Sequence, residues 1–145
     1  MNLYTALKEK HQAEVNAFPM QFAFNQKQLE EGLIKLGLKP TENYKVCQLP
    51  GTGGFYRRTD AKALHEMFDR HTAEMQEAVD QDITGDGFIF AMFNYELANH
   101  EYNYTGDITD TIEALGLTYE EIQKSSSLLH GLDRACKYQM ERECF

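Results

Sequence analysis

Apolar positions recur at three- and four-residue spacing through most of this chain, and between Phe88 and Ala98 they close into an almost continuous surface. Phe88, Ile89, Phe90, Ala91, Met92, Phe93, Tyr95, Leu97 and Ala98 leave almost no polar face, the pattern of a helix covered on all sides. It predicts a central helix over about residues 87–103, entered through the Gly- and Asp-rich turn that begins at Asp82. Its charges are few: Glu96 and Glu101, with His100 beside them.

The flanking patterns predict elements that pack on this helix. Leu3, Leu7 and Val15 mark the inner face of an opening helix over residues 2–16, with Lys8, Glu9 and Lys10 facing out, and Phe18-Pro19 stops it. FPMQFAF reads as a short apolar connector or strand. Asn25 is placed to cap a second helix with Leu29, Leu33 and Ile34 inward, closed by Gly37 and Pro40. Tyr44–Leu49 and Phe55–Arg58, joined by Pro50-Gly51-Thr52-Gly53-Gly54, predict a small β-hairpin over about residues 44–58. Asp60 then opens a long helix striped by Leu64, Met67, Phe68, His71, Met75, Ala78 and Val79, ending near Asp80. Beyond the central helix, Asp107 or Thr109 caps a short helix with Ile108, Ile112 and Leu115 inward, and Thr118 with Glu121 forms a capping box for the next. A last helix buries Leu128, Leu129, Leu132, Ala135, Cys136 and Met140. The expected fold class is α+β: one mainly helical globular domain, residues 1–145, around the apolar helix, with one hairpin.

Composition adds little until charge is mapped along the chain. A content of 42 % hydrophobic and 26 % charged residues in 145 suits a soluble domain. No apolar run approaches the roughly 18 residues of a membrane span, and the charges in the first 18 residues do not suit a signal peptide, so a cytoplasmic location is expected. Cys47, Cys136 and Cys144 are odd in number and form no CxxC pair, the pattern of reduced thiols. The net charge of −9 is unevenly spread. Residues 1–59 hold five acids and eight Lys or Arg, and residues 60–145 hold 18 acids and six bases. Between Thr72 and Gln123 there is no Lys or Arg at all, against twelve acids. That half is not expected to bind nucleic acid directly, because phosphate contacts need cations.

Several stretches carry candidate chemistry. Asp82, Thr84 and Asp86, followed by Gly87 and Ile89, are similar to the start of an EF-hand loop, which implies oxygen ligands for Ca²⁺. Phe93 stands where that loop places its bidentate Glu; the structural alternative is that Asp82 or Asp86 caps the central helix. Glu96 and His100, four apart on one helical face, are candidate transition-metal ligands together with His65, Asp69 and His71. The alternative is a buried polar network of Glu96, His100 and Tyr102 that fixes helix register. Arg57 and Arg58, after the glycine-rich turn, are candidate anion ligands, although the lysine and hydroxyl of a phosphate loop are missing. LPGTG at residues 49–53 matches a sorting signal as a string only, since more than ninety residues of globular sequence follow it. IEALGLTYEEIQKSSSLL has a helix-turn-helix outline, but Glu120 and Glu121 occupy the would-be recognition helix.

The base-free acidic tract weighs most. Carboxylates along helices imitate a phosphate backbone and compete for the basic groove of a nucleic-acid-handling protein. The plain alternative is that acids at helix starts favour the dipole and the rest confer solubility. At FIFAMFNYELANHEYNYTGDITDTIEALGLT and GGFYRRTDAKALHEMFDRH, over about residues 54–132, the chain resembles small uncharacterised proteins carried by phages and mobile elements of Gram-positive and gut bacteria. That resemblance implies an accessory protein of a group that includes anti-CRISPR and anti-restriction inhibitors, and it transfers no active-site residue. The leading expectation is a non-enzymatic, cofactor-free protein that presents Glu74, Glu77, Asp80, Asp110, Glu113, Glu120 and Glu121 to a basic partner. The alternatives are a metal-dependent enzyme or metal-binding protein built on Glu96 and His100, and a homo-oligomer packed through the apolar helix.

Overall fold

The computed structural model describes residues 2–143, and Cys144 lies outside them. In chain order it contains α1 (Leu3–Ala17), β1 (Met20–Phe22), α2 (Gln26–Lys35), β2 (Val46–Leu49), β3 (Gly54–Arg57), α3 (Ala61–Gln81), α4 (Phe88–Asn99), α5 (Tyr102–Thr105), α6 (Thr109–Ala114), α7 (Tyr119–Lys124) and α8 (Ser126–Glu143). The protein is thus mainly helical α+β. The chain divides into two compact units, one of residues 1–10 and 74–145 and the other of residues 11–73, with the boundaries inside α1 and α3.

The larger unit is built on α4, as its sequence pattern predicts. Phe88, Ile89, Met92, Phe93 and Leu97 are buried among Tyr4, Ile122, Leu132 and Ala135, and Leu7, Met75, Ala78 and Val79 pack around them. Its most extensive partner is α8. The helix is shorter than expected: it ends at Asn99, because Glu101 adopts a left-handed conformation (φ 59°) that starts the separate turn of α5. On α8 the stripe runs through Leu128, Leu132 and Ala135 to Gln139 instead of Met140, which is exposed. Gln139 is admitted because its Nε2 donates to Asn94 Oδ1 at 2.6 Å and approaches the Asn94 carbonyl at 3.4 Å. Thr118 and Glu121 form their cap, with the Glu121 amide on Thr118 Oγ1 at 3.1 Å. Asp107 serves α6, accepting the Thr109 amide at 2.9 Å.

The smaller unit holds α2 against a three-stranded antiparallel sheet of order β1-β3-β2. The expected hairpin is β2–β3, with Val46 opposite Arg57 and Leu49 opposite Gly54. FPMQFAF resolves as β1, which adds a third strand through Met20 opposite Tyr56 and Phe22 opposite Gly54. Leu33, Leu36, Val46 and Phe55 form this core. Ile34, expected inward, is 57 % exposed, because the inner face of α2 turns Gly32 onto the Phe55 ring and so brings Leu36 in and Ile34 out. The α2 end pairs the Leu38 amide with the Leu33 carbonyl and the Gly37 amide with that of Ile34, each at 2.9 Å. Leu117 and Gly116 repeat the arrangement on α6, so LIKLGL and IEALGL end their helices in the same way. Asp60, expected as the α3 cap, has Oδ2 on Arg57 Nε at 2.8 Å.

The turn before α4 docks on α8 at very short range. A Cβ on Gly131 would lie 2.5 Å from Ile89 Cγ2 and 2.8 Å from the Gly85 carbonyl oxygen. Alanine in a helix is normally more stable than glycine by about 1 kcal/mol. Here the backbone contact reverses the sign, so Gly131→Ala is expected to destabilise by about 1–3 kcal/mol, read as a lower urea midpoint. A raised midpoint would disprove this close approach.

Candidate functional site

The entry to α4 orders its acidic side chains by backbone donors. The Asp82 carboxylate accepts the amides of Gly85 (3.1 Å), Gly87 (3.0 Å) and Ile89 (2.9 Å), so it caps the helix from five residues before the Gly87 N-cap position. Thr84 Oγ1 takes the Asp86 amide at 3.2 Å. Asp86 turns away to α8, where its Oδ1 meets His130 Nε2 and Arg134 Nη1, both at 2.8 Å. These two bonds hold the Asp86 carboxyl below its ordinary value, His130 contributing most. Asp82 and Asp86 therefore point to different partners, and Thr84 Oγ1 donates to Asp82 Oδ1 at 3.5 Å. Among the described residues, no group of three or more His, Cys, Asp or Glu is arranged to hold a metal ion.

Glu96 is the buried charge of α4. Its Oε1 accepts Tyr4 Oη at 2.8 Å and Lys8 Nζ at 2.9 Å, while Oε2 lies 3.5 Å from His100 Nε2. Lys8 in turn sits 4.9 Å from the Tyr95 ring centroid, an additional cation–π contact. Burial alone raises the Glu96 carboxyl, but the bonds from Lys8 and Tyr4 and the attraction of Lys8 and His100 outweigh it, and the group is held below its usual range. Burial and then the bond to Glu96 push the Tyr4 phenol up. The expected network of Glu96, His100 and Tyr102 is thus corrected in its membership. Tyr102 bonds the Cys136 thiol instead and, with burial as the main cause, is pushed up to about 12. Lys8, expected to face solvent, turns inward. The sequence signal was available, since Tyr4 and Lys8 are four apart and share a face of α1 with Leu7 close by.

The other candidates are distributed as follows. His65 and Asp69 are exposed on α3. His71 is buried; its Nε2 contacts Glu14 Oε2, and its ring stacks on His11 at 3.9 Å. Arg70, then His71, lower the Glu14 carboxyl to about 2. Arg57 is held by Asp60 and by the Leu36 carbonyl at 3.4 Å. Arg58 donates Nε to the Tyr44 carbonyl at 2.7 Å.

The acidic residues occupy three helices of the larger unit. On α3, Glu74 lies 3.5 Å from Lys10, while Glu77 and Asp80 are exposed and accept from Gln81 and Gln76. Glu74 and Glu77 line an open groove of about 590 Å³ together with Leu3, Leu7 and Phe88. Asp110 and Glu113 are exposed on α6, and neither has an ion pair among the described residues. On α7, Glu120 is 3.3 Å from Lys124 and Glu121 belongs to the helix cap.

The sequence profile of a family of unknown function, DUF7659, matches residues 3–138. The chain belongs to that family. The match runs from the first residue of α1 into α8 and so takes in both units, with the Glu96 network, the Asp82 turn and the acidic helices inside it. No curated protein and no solved structure matches the chain. No helix among the described residues is long and apolar enough to cross a membrane.

Burial asymmetry at Glu96 sets the expected response to mutation. The Glu96 side chain is 5 % exposed and that of Lys8 is 42 % exposed. Glu96→Gln leaves a cation that water can reach and keeps an acceptor for Tyr4, so it should cost about 1–2 kcal/mol. Lys8→Met strands a buried carboxylate with only Tyr4 and His100, and should cost more, about 2–4 kcal/mol. Chemical denaturation that ranks the two the other way would refute the assignment.

A pH test follows from the same site. A carboxyl whose folded value is depressed stabilises above its unfolded value near 4.3 and loses that contribution as pH falls through the folded value. Wild-type stability is therefore expected to fall with acid below about pH 4.3, and Glu96→Gln should flatten this slope. An unchanged slope would remove Glu96 as a contributor.

Proposed function

We propose that this protein is a cytoplasmic, non-enzymatic interaction protein that binds a basic macromolecular partner through the acidic helices of its larger unit. The finer reading is an inhibitor of a nucleic-acid-handling defence protein, of the anti-CRISPR or anti-restriction kind, belonging to a phage or mobile element. The observation that supports it is how the acids of residues 72–123 are used. Asp82, Asp86 and Glu96 are consumed by backbone amides or cations of the fold. Glu77, Asp80, Asp110, Glu113 and Glu121 are exposed and have no cation partner among the described residues. The larger unit carries 16 acids against six Lys or Arg, a net −10, and the smaller one seven against eight, a net +1. Such one-signed carboxylates raise the local concentration of a basic protein and occupy sites that would otherwise take phosphates.

The test is capture from host lysate on immobilised protein at low salt, followed by salt elution and competition with duplex DNA. A basic nucleic-acid-binding protein should be retained, released by moderate salt and displaced by DNA. A variant combining Glu77→Gln, Asp80→Asn, Asp110→Asn and Glu113→Gln should bind it at least tenfold more weakly. Equal affinity of the variant and the wild type would reject this surface.

A further inference from the structure

We infer that the smaller unit contains a binding site for a small organic carboxylate, in the cavity between the start of α2 and the β2–β3 hairpin. This site is independent of the acidic helices. The cavity measures about 680 Å³, inside the range of roughly 300–1,000 Å³ typical of small-molecule sites. Its lining includes the apolar residues Leu29, Val46 and Phe55, together with Asn43, Cys47 and Gln48. Among the described residues, Arg58 is the one charged residue that lines it, and no carboxylate lines it beside Arg58.

The geometry of Arg58 selects the ligand group. Its Nε is spent on the Tyr44 carbonyl at 2.7 Å, which fixes the plane of the guanidinium. Neither terminal nitrogen has a partner among the described residues, which leaves the end-on edge of the fork for a two-oxygen acceptor. Arg57 next to it differs, with Nε on Asp60 and Nη1 on the Leu36 carbonyl. A ligand that satisfies both the fork and the apolar lining has a carboxylate at one end and an apolar body at the other.

The glycine-rich turn of the lining is already ordered. Thr52 Oγ1 donates to the Leu49 carbonyl at 2.8 Å and accepts the Gly54 amide at 3.0 Å, while the Ala23 amide ties the Gly53 carbonyl at 3.0 Å. A Cβ at Gly53, whose φ is +75°, would meet the Phe24 ring at 2.5 Å, so the glycine-rich turn fits only as it is. A preformed lining lowers the ordering cost of binding.

The probe is sodium octanoate, titrated below its micelle concentration into the ¹⁵N-labelled full chain, with 1-octanol and inorganic phosphate as comparisons. Octanoate should shift the amides of Cys47, Gln48, Gly53 and Gly54 and the Nε of Arg58 saturably. Octanol on the wild type, and octanoate on Arg58→Gln, should each bind about tenfold more weakly. The absence of saturable shifts at these positions overturns the site. Equal binding of phosphate overturns the apolar half of the assignment, and undiminished binding by Arg58→Gln overturns the carboxylate half. A second readout on the wild type guards against a misfolded variant. Octanoate methylenes should give intermolecular NOEs to the Leu29 methyls and none to Leu132 in the larger unit, whereas NOEs to both, or to neither, would count against the cavity.

Discussion

The buried carboxylate of Glu96 is the constraint around which the larger unit is arranged. A helix as apolar as α4 gains its stability from being covered, and it offers many equivalent ways of being covered, because hydrophobic burial has little directional preference. One charge on that surface removes the freedom. Glu96 can be buried only where cations and donors meet it, and Tyr4 and Lys8 supply them from one face of α1. The position of α1 on α4 is thereby fixed by chemistry as well as by shape, and Thr111 adds to it from α6 through a hydroxyl on the Glu96 carbonyl at 3.4 Å.

The same rule governs the other acids near α4 and separates two populations. Asp82 caps the helix start, and Asp86 joins His130 and Arg134 on α8, so both are spent on holding the turn against the bundle. The acids of α6 and α7, and Glu77 and Asp80 of α3, hold nothing of comparable weight. Surface pairs such as Glu120 with Lys124 contribute at most about 1 kcal/mol. In this tract without Lys or Arg the structural acids are satisfied from inside, and the remaining acids face out and add little to stability. The smaller unit has the opposite character: a near-neutral sheet and helix, with the oriented Arg58 lining a cavity of about 680 Å³.

Legibility in the sequence followed the range of the interactions. The apolar run of α4, the stripes of α3 and α8, the Thr118–Glu121 cap and the Gly37 helix end rest on residues within one or two turns of each other, and their patterns were readable. The end of α4 was not, because nothing in Asn99-His100-Glu101 announces a left-handed residue that is not glycine. Ile34 and Met140 were assigned inward on spacing alone. Their neighbours Leu36 and Gln139 took those places, one because a glycine face turned α2 toward Phe55, the other because Asn94 satisfied its amide. In the candidate sites, the EF-hand-like string was legible and its use as a helix cap was legible as an alternative, but the turn of Asp86 toward His130 and Arg134 joins residues more than forty positions apart.

What the sequence by itself determined is therefore the inventory: which helices form, that one of them is covered on all sides, and that charge is segregated between residues 1–59 and 60–145. Those features depend on local spacing and composition, which any reading of the chain contains. Only the tertiary structure decided the pairing of that inventory. Glu96 needed partners 88 and 92 residues away, FPMQFAF became a strand because β3 offered it an open edge, and Arg58 became an oriented donor through the carbonyl of Tyr44. Each of these is a short-range, directional bond between segments far apart in the chain, and no periodicity in a sequence encodes such a choice.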